Sequence, residues 1–179
     1  MDKKIEVNTI TRGRPSRVEV FLMMAKELSR LSTCVSRNVG CVVVDKYNRI
    51  IATGYNGIPS GLPHVCLQNG CQRKDVASGE ALNKCLATHA EINALMHCSD
   101  IKQIEAIFLF GPHPCGECAK QIANSGAKVV YFTHDYHSEH LEMTRNILSG
   151  KSIELTKVNL QPDCLEVDLK AQILGLETV

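Results

Sequence analysis

His89-Ala90-Glu91 and, about 25 residues further on, Pro114-Cys115-Gly116-Glu117-Cys118 constrain this chain more than any other stretch. One imidazole and two thiols make a ligand set that suits zinc and leaves a fourth tetrahedral position open, as a catalytic site requires. Helix geometry limits how the three can meet. Each residue of a helix turns by about 100°, so positions i and i+2 face nearly opposite ways. His89 and Glu91 therefore reach one metal only if His89 stands at the very start of a helix, with the metal over its N-terminus. Cys115 and Cys118, at i and i+3, share a face. Pro114 just before them suits a helix start, where free N–H groups and the helix dipole favour thiolates. The expectation is a site where two helix N-termini meet, with Glu91 handling protons at the open position. A four-ligand structural zinc knuckle and unrelated core residues are the competing readings. The pairing of His-Ala-Glu with the two cysteines, across strand-like sequence, weighs against both.

The totals narrow the function classes. With 179 residues the simplest organisation is a tail over 1–14 and one domain over 15–179, long enough to bury a real core. The net charge of +1, from 20 basic and 19 acidic residues, gives no broad footprint for nucleic acid or membrane. Tryptophan is absent and 4% of residues are aromatic, too few for a single-strand reader built on stacking. Met1-Asp2-Lys3-Lys4 leads into no apolar signal-type region, and no run approaches membrane-spanning length. The expected compartment is a reducing cytoplasm. There nine cysteines point to metal or catalysis before disulfides.

Ser16 and Glu19 read as a capping box ahead of Val18, Phe21, Leu22, Ala25, Leu28 and Leu31 at helical spacing. Val39–Val44 and Arg49–Thr53 read as an antiparallel hairpin around Asp45-Lys46-Tyr47-Asn48. From Gly54 to about Ser78 a long loop is expected, and such a loop in a compact domain is usually functional or pinned. A second helix runs to about Cys98, with Ile92, Leu95 and Met96 in the core; both Gly79 and His89 fit as its start. Ala106–Phe110 is a buried strand, Cys115 to about Ser125 a helix stopped by Gly126, and Lys128–Phe132 a strand. His140–Leu148 reads as a helix and Ile153–Leu155 as a strand, while the C-terminal stretch fits helix or alternation. The order α-β-β-α-β-α-β-α-β implies an α/β fold with a mixed five-stranded sheet and helices on both faces.

Four segments occur in one order: Ser36-Arg37-Asn38-Val39-Gly40, Gly54-Tyr55-Asn56-Gly57 with Pro59, His89-Ala90-Glu91 with Asn93-Ala94, and Pro114-Cys115 through Cys118-Ala119-Lys120 to Ser125-Gly126. His-x-Glu followed by Pro-Cys-x-x-Cys is the signature of the zinc nucleobase deaminases. With the two upstream segments, the chain resembles the deoxycytidylate (dCMP) deaminase family of the cytidine deaminase superfamily over roughly residues 16–157. The resemblance implies a three-layer α-β-α cytidine deaminase-like fold and hydrolysis of dCMP to dUMP and ammonia, which supplies the dTMP precursor. Zinc on His89, Cys115 and Cys118 would lower the pKa of a water from about 15.7 towards about 7. Glu91 would take its proton and return protons to ring N3 and the departing amine. By the same resemblance Asn56 would bond the sugar or base, and the backbone around Ala90 and His113 would read the pyrimidine edge. Arg37 and Tyr136 are candidates for the donors a 5′-phosphate needs.

Three alternatives stay open: a deaminase of another cytosine nucleotide, a deaminase of adenosine in tRNA, and a silent zinc-stabilised binding module. Glu117 stands where the tRNA enzymes usually carry methionine, and an intact Glu91 argues against the silent module. The family further implies a homo-oligomer, hexamer favoured, with dCTP and dTTP as effectors acting with Mg2+. No nucleic acid polymer and no membrane is expected as partner. Cys34, Cys66, Cys71 and Cys85 fall in or beside irregular chain that burial alone would not order. Some family members carry a second, structural zinc in this region, and Cys34 and Cys66 match its positions. A second zinc on these four cysteines is expected, with His64 as a substitute for one of them. Cys41 and Cys98 read as core, and Cys164 has no assigned partner.

Overall fold

The structure, a computed structural model, describes residues 14–76, 84–135 and 138–160. α1 (Arg17–Ser29) opens on the expected capping box. The Ser16 hydroxyl accepts from the Glu19 N–H, and the Glu19 carboxylate accepts from the Ser16 N–H at 2.7 Å. Two of the four orphan donors are thus satisfied before the apolar stripe of Phe21, Leu22 and Ala25 begins. Leu31 does not extend that stripe. The helix ends at Ser29, so Leu31 falls beyond the cap and is 57% exposed.

β1 (Gly40–Asp45) and β2 (Ile50–Tyr55) form the antiparallel hairpin. Asp45 sets its turn, accepting the N–H groups of Tyr47 and Arg49 and pairing with the Arg49 guanidinium at 2.7 Å. Burial alone would raise the Asp45 carboxyl, but the Arg49 and Tyr47 donors outweigh it and hold it below the usual carboxylate range. The stretch that follows is not wholly irregular, because Val65–Asn69 forms a short helix, α2. Thr88 then pairs with Gly57 in an isolated bridge. The chain is therefore extended up to His89, and α3 (Ala90–His97) starts there rather than at Gly79. In a helix of eight residues only one stripe faces inward. Ala90, Glu91 and Ala94 fill it with Leu95 alongside, and Met96, expected in the core, is 75% exposed on the opposite side.

β3 (Ile104–Pro112), α4 (Gly116–Ala123), β4 (Val129–His134), α5 (Ser138–Ser149) and β5 (Glu154–Lys157) complete the described chain. The sheet runs β2-β1-β3-β4-β5, antiparallel from β2 to β3 and parallel from β3 to β5. β1 is flanked on both edges and buried throughout. Its alternate side chains feed two cores. Cys41 and Val43, with Ile107, Leu109 and Val130, pack under α3, α4 and α5, while Val42, Val44, Ala106 and Phe108 pack under α1. This is the three-layer α-β-α arrangement around a mixed five-stranded sheet. Gly126 is not the stop of α4: the helix ends at Ala123 with Asn124 as its cap, and Gly126, two residues on, is required by close approach instead. A Cβ there would meet the Lys102 carbonyl oxygen at 2.1 Å. The 1–14 tail short of Arg14, the C-terminal stretch from residue 161 with Cys164, and Tyr136 lie outside the described residues.

One close approach seats the helix that carries His89. A Cβ on Gly54 of β2 would stand 2.4 Å from the Ala90 carbonyl oxygen and 2.5 Å from the Ala94 nitrogen. Both are backbone atoms and cannot swing aside. Gly54→Ala is expected to cost about 1–3 kcal/mol through overpacking, read as a lowered Tm. A variant melting with the wild type would show that α3 does not rest on β2 in this way.

Candidate active site

His89 is the N-cap residue of α3, Cys115 is the N-cap residue of α4, and Cys118 lies in the first turn of α4. His89 Nδ1 stands 3.3 Å from Cys118 Sγ and 3.5 Å from Cys115 Sγ. All three ligand atoms lie within 4.8 Å of one another, the only such group among the described residues. Zinc bonds of about 2.05 Å to nitrogen and 2.3 Å to sulfur, at tetrahedral angles, separate N from S by about 3.6 Å. The donor set and its spacing therefore fit zinc. The His89 ring is exposed, Cys115 half-buried and Cys118 buried, so the cluster is open to solvent on the His89 side.

The charges are arranged to match. Hydrogen bonding from the Cys118 thiol, and then from His89, holds Cys115 down to about 3 against burial. The same Cys115 contact, aided by Glu91, raises His89 to about 9. Cys118, by contrast, is pushed up by its bond to Cys115 and by burial. Glu91 is buried in the first turn of α3, within hydrogen-bond reach of the Cys118 thiol. Burial pushes its carboxyl up more than His89 pulls it down. A carboxyl raised in this way is a stronger proton acceptor than an exposed glutamate. Cys41 lies beneath it, fully buried, its thiol pushed up by burial and by Glu91.

The other predicted residues divide. Asn56 is buried, but its amide is already engaged: Oδ1 accepts from the Val39 N–H and Nδ2 donates to the Arg37 carbonyl, both at 2.8 Å. It clamps the Arg37–Val39 loop across 17 and 19 residues of chain. Ala90 is fully buried at the start of α3. His113 is buried between β3 and α4, and its Nδ1 donates to the Pro114 carbonyl at 2.9 Å. Arg37 is exposed and lines a cavity of about 560 Å³ with Phe110, Pro112 and His134. That cavity lies at the carboxyl ends of parallel β3 and β4, three residues of chain from Cys115, where open α/β sheets bind ligands. Sequence reasoning passed over His134, because a histidine at a strand end carries no periodic or motif signal.

Cys66 is buried, and Cys34, Cys71 and Cys85 are half-buried around it. Burial, and then these three neighbours, push the Cys66 thiol up. The four cysteines are gathered, yet their sulfurs are not drawn into a set as close as that of His89, Cys115 and Cys118. His64 caps α2 and is exposed. All eight cysteines among the described residues are free.

Fold and geometry together define a three-layer α-β-α protein with a zinc-type ligand cluster built on two helix N-termini. The chain belongs to the cytidine and deoxycytidylate deaminase zinc-binding region family, whose pattern residues 15–134 match. It is 36% identical to the deoxycytidylate deaminase of Schizosaccharomyces pombe over 86% of its own length and 47% of that protein. The chain thus spans about half of that relative. It is 38% identical to the deoxycytidylate deaminase of Mycobacterium phage D29, over 66% of this chain and 96% of the phage protein. The dCMP deaminase of cyanophage S-TIM5, solved in complex with dCMP and dUMP, superposes with a TM-score of 0.63 at 30% identity, covering 81% of this chain and 98% of that one.

Proposed function

We propose that this chain hydrolyses dCMP to dUMP and ammonia. The observation that carries the reading is the His89, Cys115 and Cys118 cluster with the buried carboxyl of Glu91 beside it. The likeness to deoxycytidylate deaminases supports the substrate. Zinc, when bound, supplies the Lewis acidity that makes water a nucleophile near neutral pH. Glu91 accepts a proton from the water that attacks C4 and delivers it to ring N3. It then transfers the remaining hydroxyl proton to the amine, which leaves as ammonia. Water's oxygen ends as the C4 carbonyl, so atoms balance without redox chemistry. Asn56, which holds the Arg37–Val39 loop, bonds the sugar or base with the N–H and lone pair it has left, and the Ala90 and His113 backbone reads the pyrimidine edge. Arg37 and Tyr136 meet the 5′-phosphate.

The test is ammonia release from dCMP, CMP, deoxycytidine and dCTP. Turnover of dCMP alone supports the reading, and turnover of none of them returns the chain to the silent binding module. Arg37→Ala is expected to raise KM for dCMP about tenfold, the scale of one charge-assisted hydrogen bond, with kcat little changed. An unmoved KM removes Arg37 from the phosphate contact.

Cys34, Cys66, Cys71 and Cys85 hold a second zinc that ties the substrate loop to the approach to α3; their gathering around Cys66 supports it. The enzyme assembles as a homo-oligomer, hexamer favoured, and exposed Val20 and Met24 on α1 offer an apolar surface for that. It responds to dCTP and dTTP with Mg2+, read as sigmoidal dCMP saturation that dCTP makes hyperbolic. Free thiols throughout the described residues fit a cytoplasmic location. No helix among the described residues is long and apolar enough to cross a membrane.

A further inference from the structure

The turn that presents Cys115 and Cys118 hangs on one carbonyl. Pro114 O accepts from Thr144 Oγ1 at 2.8 Å and from His113 Nδ1 at 2.9 Å. A carbonyl oxygen has two lone pairs, and here both are engaged. Thr144 lies inside α5, thirty residues downstream, and is fully buried. A buried hydroxyl is costly unless bonded, and in a helix threonine can bond the preceding turn of its own backbone. This one reaches across to another element instead. Its neighbour Met143 covers the next part of the same turn. A Cβ on Gly116 would meet Met143 Sδ at 2.7 Å. Below the turn the Cys115 carbonyl accepts from the Ala119 N–H at 2.8 Å, so α4 is already locked on that side. What remains to be fixed is the orientation of the Pro114–Cys115 peptide plane, and α5 grips it at Pro114 and at Gly116.

We propose that Thr144 is a positioning residue for the metal centre. Its hydroxyl, together with the His113 imidazole, holds the Pro114 carbonyl so that both cysteine sulfurs stand opposite His89 Nδ1 before metal arrives. The inference rests on the zinc part of the reading above and is independent of the substrate. Groups that orient metal ligands from outside typically change metal affinity about 10–100-fold when removed.

Thr144→Val removes the hydroxyl at nearly constant volume, and Thr144→Ser keeps it. In the full chain, zinc affinity is measured by competition with a chromogenic chelator. Co2+ loading adds the thiolate-to-metal absorption band, which reports sulfur geometry. The signal absent from Cys118→Ser belongs to this centre. Thr144→Val is expected to bind zinc about 10–100-fold more weakly, with an altered cobalt band, and Thr144→Ser to stay within about threefold of wild type. A folded Thr144→Val with wild-type affinity and an unchanged band overturns the proposal. Should valine prevent folding, Thr144→Ala removes the same bond and gives the same reading. Failure of both to fold, while serine folds normally, assigns the hydroxyl to the fold and overturns it as well. Wild-type chain that takes up no zinc would bring down the metal reading itself, a failure distinct from these.

Discussion

Glu91→Gln is expected to keep the zinc bound at His89, Cys115 and Cys118 and to lose about 10²–10⁴-fold in kcat. The amide matches the carboxylate in size, so α3 and its buried Ala90–Ala94 stripe stay in place. What disappears is a group that can both accept and return a proton. Glu91 is equipped for that by burial, which lifts its carboxyl, set against the pull of His89, which lowers it. The three zinc ligands and the residues lining the cavity beside Arg37 are all retained, so KM should move far less than kcat. Equal turnover in the two proteins, each with full metal content, would take the proton-handling role away from Glu91.

Metal content gives the second large effect. Fully loaded wild-type chain is expected to hold two zincs. Cys118→Ser removes the sulfur that is 3.3 Å from His89 Nδ1 and deepest in the first centre. It should drop the count to one and abolish ammonia release, since His89 and Cys115 alone are one ligand short of the three a catalytic zinc needs. Cys66→Ser/Cys71→Ser acts on the other group and should also leave one zinc, in a chain that still folds. The two variants thus share a stoichiometry but lose different metals, and elemental analysis with an activity assay separates them. One zinc in the fully loaded wild type would remove the second centre and leave the first standing.

The parts of this protein that sequence alone determined are those decided within one turn or one strand. The spacing i, i+2 in His89-Ala90-Glu91 demands a helix start, and i, i+3 in Cys115 and Cys118 demands a shared face; His89 and Cys115 are indeed the N-cap residues. The Ser16–Glu19 box and the valine run of β1 are local in the same sense. Tertiary structure decided whatever depends on segments far apart in the chain. Met96 matches the helical period as well as Leu95 does, and only the seat of α3 on Gly54 turns it outward. Asn56 spends its amide on Arg37 and Val39, and Thr144 spends its hydroxyl on Pro114, over 17 to 30 residues of chain. The gathering of Cys34, Cys71 and Cys85 about Cys66 is of the same kind. Periodicity records which side of an element is apolar. It carries no record of which distant backbone group a buried polar side chain will meet, because that partner is chosen by packing.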